Sequence, residues 1–157
     1  MNRIQCLSCG HQALAFDNFM DLSVEFPKKA VRITGNIDLS ECLQKFIEVE
    51  KMIDCGYKCE GCKKPVNVEK DLTIYRFPKV LLIHLKRFYH SAMRKEKLNT
   101  TLVFPTKLDM SKYAPHSSKY TKTFIFDLDH PTKAKANYNL YGISHHSGSL
   151  YGGHYIW

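Results

Sequence analysis

Cys6-Leu7-Ser8-Cys9 and Cys59-Glu60-Gly61-Cys62 repeat one spacing, and that spacing is suited to coordination chemistry. In a CxxC turn both sulfurs can face a single centre, and a tetrahedral zinc ion takes four thiolates at about 2.3 Å. A glycine lies inside the second pair and another, Gly10, directly follows the first. Two disulfides or four free thiols are the alternatives, but the paired spacing favours a metal. Four protein ligands leave no open position for a substrate, so a Zn2+ held by Cys6, Cys9, Cys59 and Cys62 is expected to be structural and any reaction to lie elsewhere.

A second chemical signal is Gly152-Gly153-His154. Two glycines allow close approach of another backbone and a sharp turn into a strand. A histidine fixed at a strand end suits general-base work, because imidazole titrates near neutral pH. It is one of 8 histidines, and spacing alone does not single it out.

These residues need a scaffold, and hydropathy patterning sketches one. From Met20 to Phe26 the even positions are apolar and the odd ones polar, which predicts a half-buried strand ended by Pro27. Asp38 followed by Glu41 forms a capping-box pattern, after which Leu39, Cys42, Leu43 and Phe46 share one helical face, so Cys42 reads as core. Cys55, just ahead of the second CxxC pair, reads as a free thiol or an alternative ligand. Residues 66–69 and 72–76 alternate, and the nearly apolar run from Val80 to Leu85 predicts a strand covered on both faces. His84 inside that run reads as a satisfied core histidine. Residues 89–101 read as a mobile loop, 102–104 as a strand ended by Pro105, and 107–110 as a short edge strand. Residues 113–136 read as a surface excursion, 138–144 as a strand, 145–153 as a loop and 154–157 as a strand.

At 157 residues the chain is about one domain, able to hide roughly two thirds of its unfolded surface. Hydrophobic content of 44% and aromatic content of 12% describe a folded protein rather than a disordered or fibrous one. No apolar run approaches the ~18 residues of a membrane span, and the N-terminus lacks a secretory layout, so a cytoplasmic or nuclear setting without membrane contact is expected. The formal charge is +8, but the lysines are scattered and lack interleaved aromatics. A solvated basic surface fits better than a nucleic-acid partner.

His84-Leu85-Lys86-Arg87-Phe88, Phe104-Pro105, Leu108-Asp109, the stretch 138–143 and Gly152-Gly153-His154-Tyr155 follow in that order behind the CxxC…CxxC frame. Together they resemble the C-terminal two thirds of the catalytic domain of ubiquitin-specific proteases, papain-like cysteine proteases that remove ubiquitin from proteins. The resemblance implies an α+β, papain-like fold in partial form: zinc-ribbon fingers at about 5–35 and 55–75, and an antiparallel β palm with one main helix at about 36–54 and 76–157. It implies that His154 is the catalytic histidine and that His146, Gly152, Gly153 and Tyr155 line the path of the ubiquitin tail. Residues 89–101 and 145–153 would be two blocking loops beside that path. The partners implied are ubiquitin and ubiquitinated proteins.

In that family the nucleophilic cysteine lies in a Gly-Asn-rich box ahead of the first CxxC pair, and the third catalytic residue lies beyond the histidine. The chain is therefore expected to hold one of three catalytic parts and not to cleave ubiquitin conjugates alone. A ubiquitin-binding or scaffold protein of the same fold, lacking a nucleophile, is the alternative. A basic zinc ribbon for nucleic acid ranks behind both.

Overall fold

A computed structural model of the chain describes residues 1–27, 35–90, 95–114 and 136–157. Residues 28–34, part of the loop expected at 89–101 (91–94) and nearly all of the excursion expected at 113–136 lie outside the described residues.

The sheet that carries the cysteines is built from β1 (Asn2–Cys6), β2 (Gln12–Ala15), β5 (Glu50–Met52) and β6 (Val68–Leu72), in the order β2-β1-β6-β5 and antiparallel throughout. Register places Cys6 opposite Val68, so the turn after β1 and the turn before β6 emerge at the same end of the sheet. In mid-sheet Arg3 faces Asp71, and both are buried. Arg3 Nε donates to Asp71 Oδ2 at 2.8 Å, pairing two charges that would otherwise be costly to bury. A small core of Cys6, Cys59, Val66 and Val68, with Ile4, Met52 and Tyr57 against it, lies beneath the turns.

The larger core forms around α1 (Leu39–Phe46). Both halves of its expected capping box are present: Ser40 N donates to Asp38 Oδ1 at 2.7 Å, and Asp38 N donates to Glu41 Oε1 at 3.3 Å. Leu39, Cys42 and Leu43 are buried on one face, as the spacing requires. They pack with Leu22, Val24, Ile37, Met110 and Tyr113. Burial pushes the Cys42 thiol up to about 11, so it behaves as a small hydrophobe.

β3 (Leu22–Val24) runs parallel to β7 (Ile83–Leu85), and β4 (Ile37–Asp38) parallel to β10 (Leu102–Val103). The pairs β8 (Phe88–His90) with β9 (Lys95–Lys97), β11 (Lys107–Asp109) with β12 (Asn137–Asn139), and β13 (His145–Gly148) with β14 (Gly153–Ile156) are antiparallel. Among the described residues no helix is long and apolar enough to cross a membrane.

Several local expectations need correction. The strand after Pro78 is not covered on both faces: Leu81, Ile83 and Leu85 pack on the core, while Val80 and Leu82 are exposed. His84 follows the same alternation outward and is 60% exposed, so it is no core histidine. Its Nδ1 lies 3.0 Å from Ser23 Oγ across the β3–β7 pair. Met20 is exposed, and the strand begins only at Leu22. Residues 138–144 supply a strand only as far as Asn139. The loop expected at 89–101 holds most of β8 and all of β9, and the loop expected at 145–153 holds β13, which pairs with β14 where a strand was expected. β9 and β13 are polar, and backbone pairing rather than apolar alternation holds them as strands.

Candidate functional site

The metal-like site is assembled by the two turns at the end of the four-stranded sheet. Gly10 N donates to Cys6 O at 3.0 Å, and Lys63 N donates to Cys59 O at 2.8 Å, so each CxxC closes into the same turn. Gly10 and Lys63, one residue past each pair, both have positive φ, 73° and 58°. The amides of Ser8 and Cys9 donate to Cys6 Sγ at 3.3 and 3.4 Å, and Gly61 N donates to Cys59 Sγ at 3.3 Å. Gly61 is needed for a second reason: a Cβ there would lie 2.9 Å from the His11 Cβ and 3.3 Å from Cys9 Sγ.

The four sulfurs all lie within 4.8 Å of one another, with Cys6 to Cys62 at 4.0 Å and Cys9 to Cys59 at 3.6 Å. A tetrahedron with 2.3 Å metal–sulfur bonds has edges of about 3.8 Å, whereas a disulfide needs about 2.05 Å. All the cysteines are free thiols, so the four sulfurs could hold a metal ion and do not form two disulfides. Cys55 stands outside it, with its Sγ 4.0 Å from Val66 O.

Burial raises the Cys6 thiol, yet the amides of Cys9 and Ser8 and the thiols of Cys9 and Cys59 outweigh it and bring the pKa down to about 6. Burial, with the neighbouring Cys59, Cys9 and Cys6, pushes Cys62 up to about 11. The His11 amide pulls Cys9 down, but the Cys6 side chain and burial leave it raised. The surroundings thus lower the Cys6 thiol and raise those of Cys9 and Cys62, and a divalent cation among the sulfurs would supply the charge that favours their thiolates.

The second site lies at the two hairpins. Arg87 anchors the first: its Nη1 donates to Leu98 O at 3.0 Å and Thr100 O at 2.7 Å, and its guanidinium lies 4.9 Å from the centre of the Phe26 ring. Phe88 and Lys97 are opposite one another at the open end of that ladder. In the second hairpin His146 faces Tyr155, Ser147 faces His154 and Gly148 faces Gly153. Gly148 has φ 130°, and a Cβ on it would meet Gly152 O and Gly153 Cα at 2.5 Å, so only glycine allows the two backbones this close.

Strand alternation puts His146, Tyr155, Gly148 and Gly153 on one side of the hairpin and His154 with Ser147 on the other. The two histidines therefore serve different faces. His154 is exposed at the second position of β14. His146 is half-buried: its ring lies 4.7 Å from Tyr155 and 5.7 Å edge-on to Phe88, and its Nδ1 is buried without a partner. Burial lowers its pKa, and the neighbouring Lys97 and His145 lower it further. Of the two glycines before His154, Gly153 is closely covered by the His146 ring, while Gly152 faces open space.

Sequence reasoning passed over Lys97, which bridges the hairpins. Its ammonium donates to His146 O at 3.1 Å and to Gly148 O at 2.9 Å. A lysine within a Lys-Glu-Lys stretch reads as a solvated charge, and no local pattern marks it.

The family model described as ubiquitin carboxyl-terminal hydrolase matches residues 1–157. Ubiquitin carboxyl-terminal hydrolase 2 of Gallus gallus is 38% identical over 155 residues, and the match covers 97% of this chain and 38% of that protein. Ubiquitin carboxyl-terminal hydrolase Usp2 of Drosophila melanogaster is 37% identical over 98% of this chain and 14% of its own length. Among solved structures, the SAGA Ubp8/Sgf11/Sus1/Sgf73 DUB module bound to ubiquitin aldehyde superposes with a TM-score of 0.73 at 30% identity, covering 98% of this chain and 31% of that one. The chain thus spans well under half the length of these relatives.

Proposed function

Because the chain belongs to the ubiquitin carboxyl-terminal hydrolase family, we propose that it works as part of a deubiquitinating cysteine protease, which cleaves the isopeptide bond after the C-terminal glycine of ubiquitin. The observation that carries the reading is the exposed His154 on β14, set on its own face of a glycine-closed hairpin within a chain matched by the family from end to end. The partners are ubiquitin and ubiquitinated proteins, and reduced thiols suit the cytoplasm or nucleus.

In this reading His154 takes the proton of a cysteine thiol supplied from outside the chain. The thiolate attacks the carbonyl carbon of the ubiquitin glycine, and His154 passes the proton to the departing lysine amine. Water then resolves the acyl-enzyme with His154 as base. A positioned imidazole of this kind contributes typically ~10² to 10⁴ in rate. Gly152, Gly153 and Tyr155 border the tail, with His146 behind them. The four-cysteine turn fits zinc, which would lock the sheet end into one shape as the tip of ubiquitin-gripping fingers.

The second reading is a ubiquitin-binding or scaffold protein of the same fold without turnover. Within this chain Cys42 is buried, four cysteines form the cluster, and Cys55 abuts Val66. The full-length protein, assayed with a fluorogenic amide of the ubiquitin C-terminus and by ubiquitin calorimetry, separates the two. Turnover supports the protease, binding without turnover supports the second reading, and neither would refute both.

A further inference from the structure

We propose that Lys97 is a positioning residue: its ammonium ties β13 to the first hairpin and thereby aims His154 on the far face of β14. The inference rests on the reading of His154 as the base. Carbonyls two residues apart on a strand point to the same side, so the oxygens of His146 and Gly148 leave β13 together, along the edge that β14 does not pair. An edge of this kind must find donors. Lys97 Nζ satisfies both oxygens at once, at 3.1 and 2.9 Å, from a separate hairpin.

The side chains around this link form one stack. Phe88, directly opposite Lys97, presents its ring to His146 at an interplanar angle of 66°, and His146 rests on Tyr155, its cross-strand neighbour. The His146 ring fills the space that a side chain on Gly153 would occupy. The ring is thus a wedge between the hairpins and the ammonium is the tie beside it. A two-stranded ribbon standing alone is marginally stable in water. The second hairpin takes its fixed direction from the first, and Arg87 fastens the first to the core.

The test uses the full-length protein with Lys97→Met, which keeps the stem and removes the donors, and Lys97→Arg, which restores them. Turnover of the fluorogenic ubiquitin amide, ubiquitin affinity and hydrogen exchange of residues 145–156 are measured for each. Lys97→Met is expected to lower kcat by about tenfold to a hundredfold, the scale of a roughly 1 Å misplacement, with ubiquitin Kd changed less than about threefold. Exchange across β13 and β14 accelerates at least tenfold in the same variant. Lys97→Arg recovers most of both effects. If Lys97→Met leaves exchange across β13 and β14 as in the wild type, the positioning role is refuted, whatever the turnover. A wild-type protein that binds ubiquitin without turnover, yet shows the exchange difference, would overturn the assignment of His154 and leave the tie standing.

Discussion

Replacing Gly153 by alanine should be far more damaging than replacing Gly152, although the two are adjacent and chemically identical. A methyl on Gly153 would fall 2.5 Å from Ser147 O and 2.9 Å from His146 Cε1, with Nε2 nearer still, whereas a methyl on Gly152 meets nothing within 4 Å. The imidazole can swing aside only by leaving its stack on Phe88 and Tyr155, and the Ser147 carbonyl belongs to the paired strand and cannot yield alone. Overpacking of this sort costs about 1–3 kcal/mol. At 1.36 kcal/mol per tenfold, strain of that size expressed as misdirection of His154 slows turnover by about five- to 150-fold. In folding stability the Gly152 variant should lie within about 0.5 kcal/mol of wild type, the range of surface substitutions that touch nothing else in the fold. The assay is kcat on a fluorogenic ubiquitin amide, with hydrogen exchange of residues 145–156 as a second readout. Equal effects of Gly153→Ala and Gly152→Ala on that hydrogen exchange would refute the packing argument.

Other expectations follow from the same geometry. Metal analysis should find one zinc per chain, and a strong chelator should loosen residues 2–15 and 50–72 before α1, since structural zinc contributes an apparent binding free energy of about 10–16 kcal/mol; an unchanged melting profile would count against the metal. Asp38→Ala removes the side-chain half of the capping box, while the backbone N–H that donates to Glu41 stays, and should cost about 1 kcal/mol in chemical denaturation, with no change in metal content. The lowered pKa of His146 means that its unfolded form binds a proton more readily, so stability from this group is present above its ordinary value of 6.5 and is lost as pH falls from there toward the folded value. Exchange across β13–β14, corrected for intrinsic rates, should therefore quicken between pH 7.5 and 5.5, and a flat profile would remove His146 from the account.

What could be read in advance was what is local. CxxC spacing declares its own turn, and the Asp38 and Glu41 pair declares the start of α1, because in both cases the partners lie within four residues. The reading of residues 80–85 went wrong because an apolar run does not say how many faces are covered. Val80, Leu82 and His84 alternate outward together, and composition alone could not separate them from Leu81, Ile83 and Leu85. β9 and β13 escape a pattern reading because Lys-Glu-Lys and His-His-Ser-Gly carry no alternation. Their order comes from ladders and from Lys97 reaching across 49 and 51 residues to His146 and Gly148. The role of Gly153 was half legible: a glycine pair predicted close approach, but which glycine is covered, and by which ring, depends on register.

The central claim is that the imidazole of His154 performs proton transfer on a scaffold that grips ubiquitin by other means. The most direct measurement is kcat and ubiquitin Kd for His154→Ala in the full-length protein. The account predicts a loss of turnover of at least ~10² with Kd within about threefold of wild type. Turnover retained at the wild-type rate, or lost only in proportion to weakened binding, would contradict it.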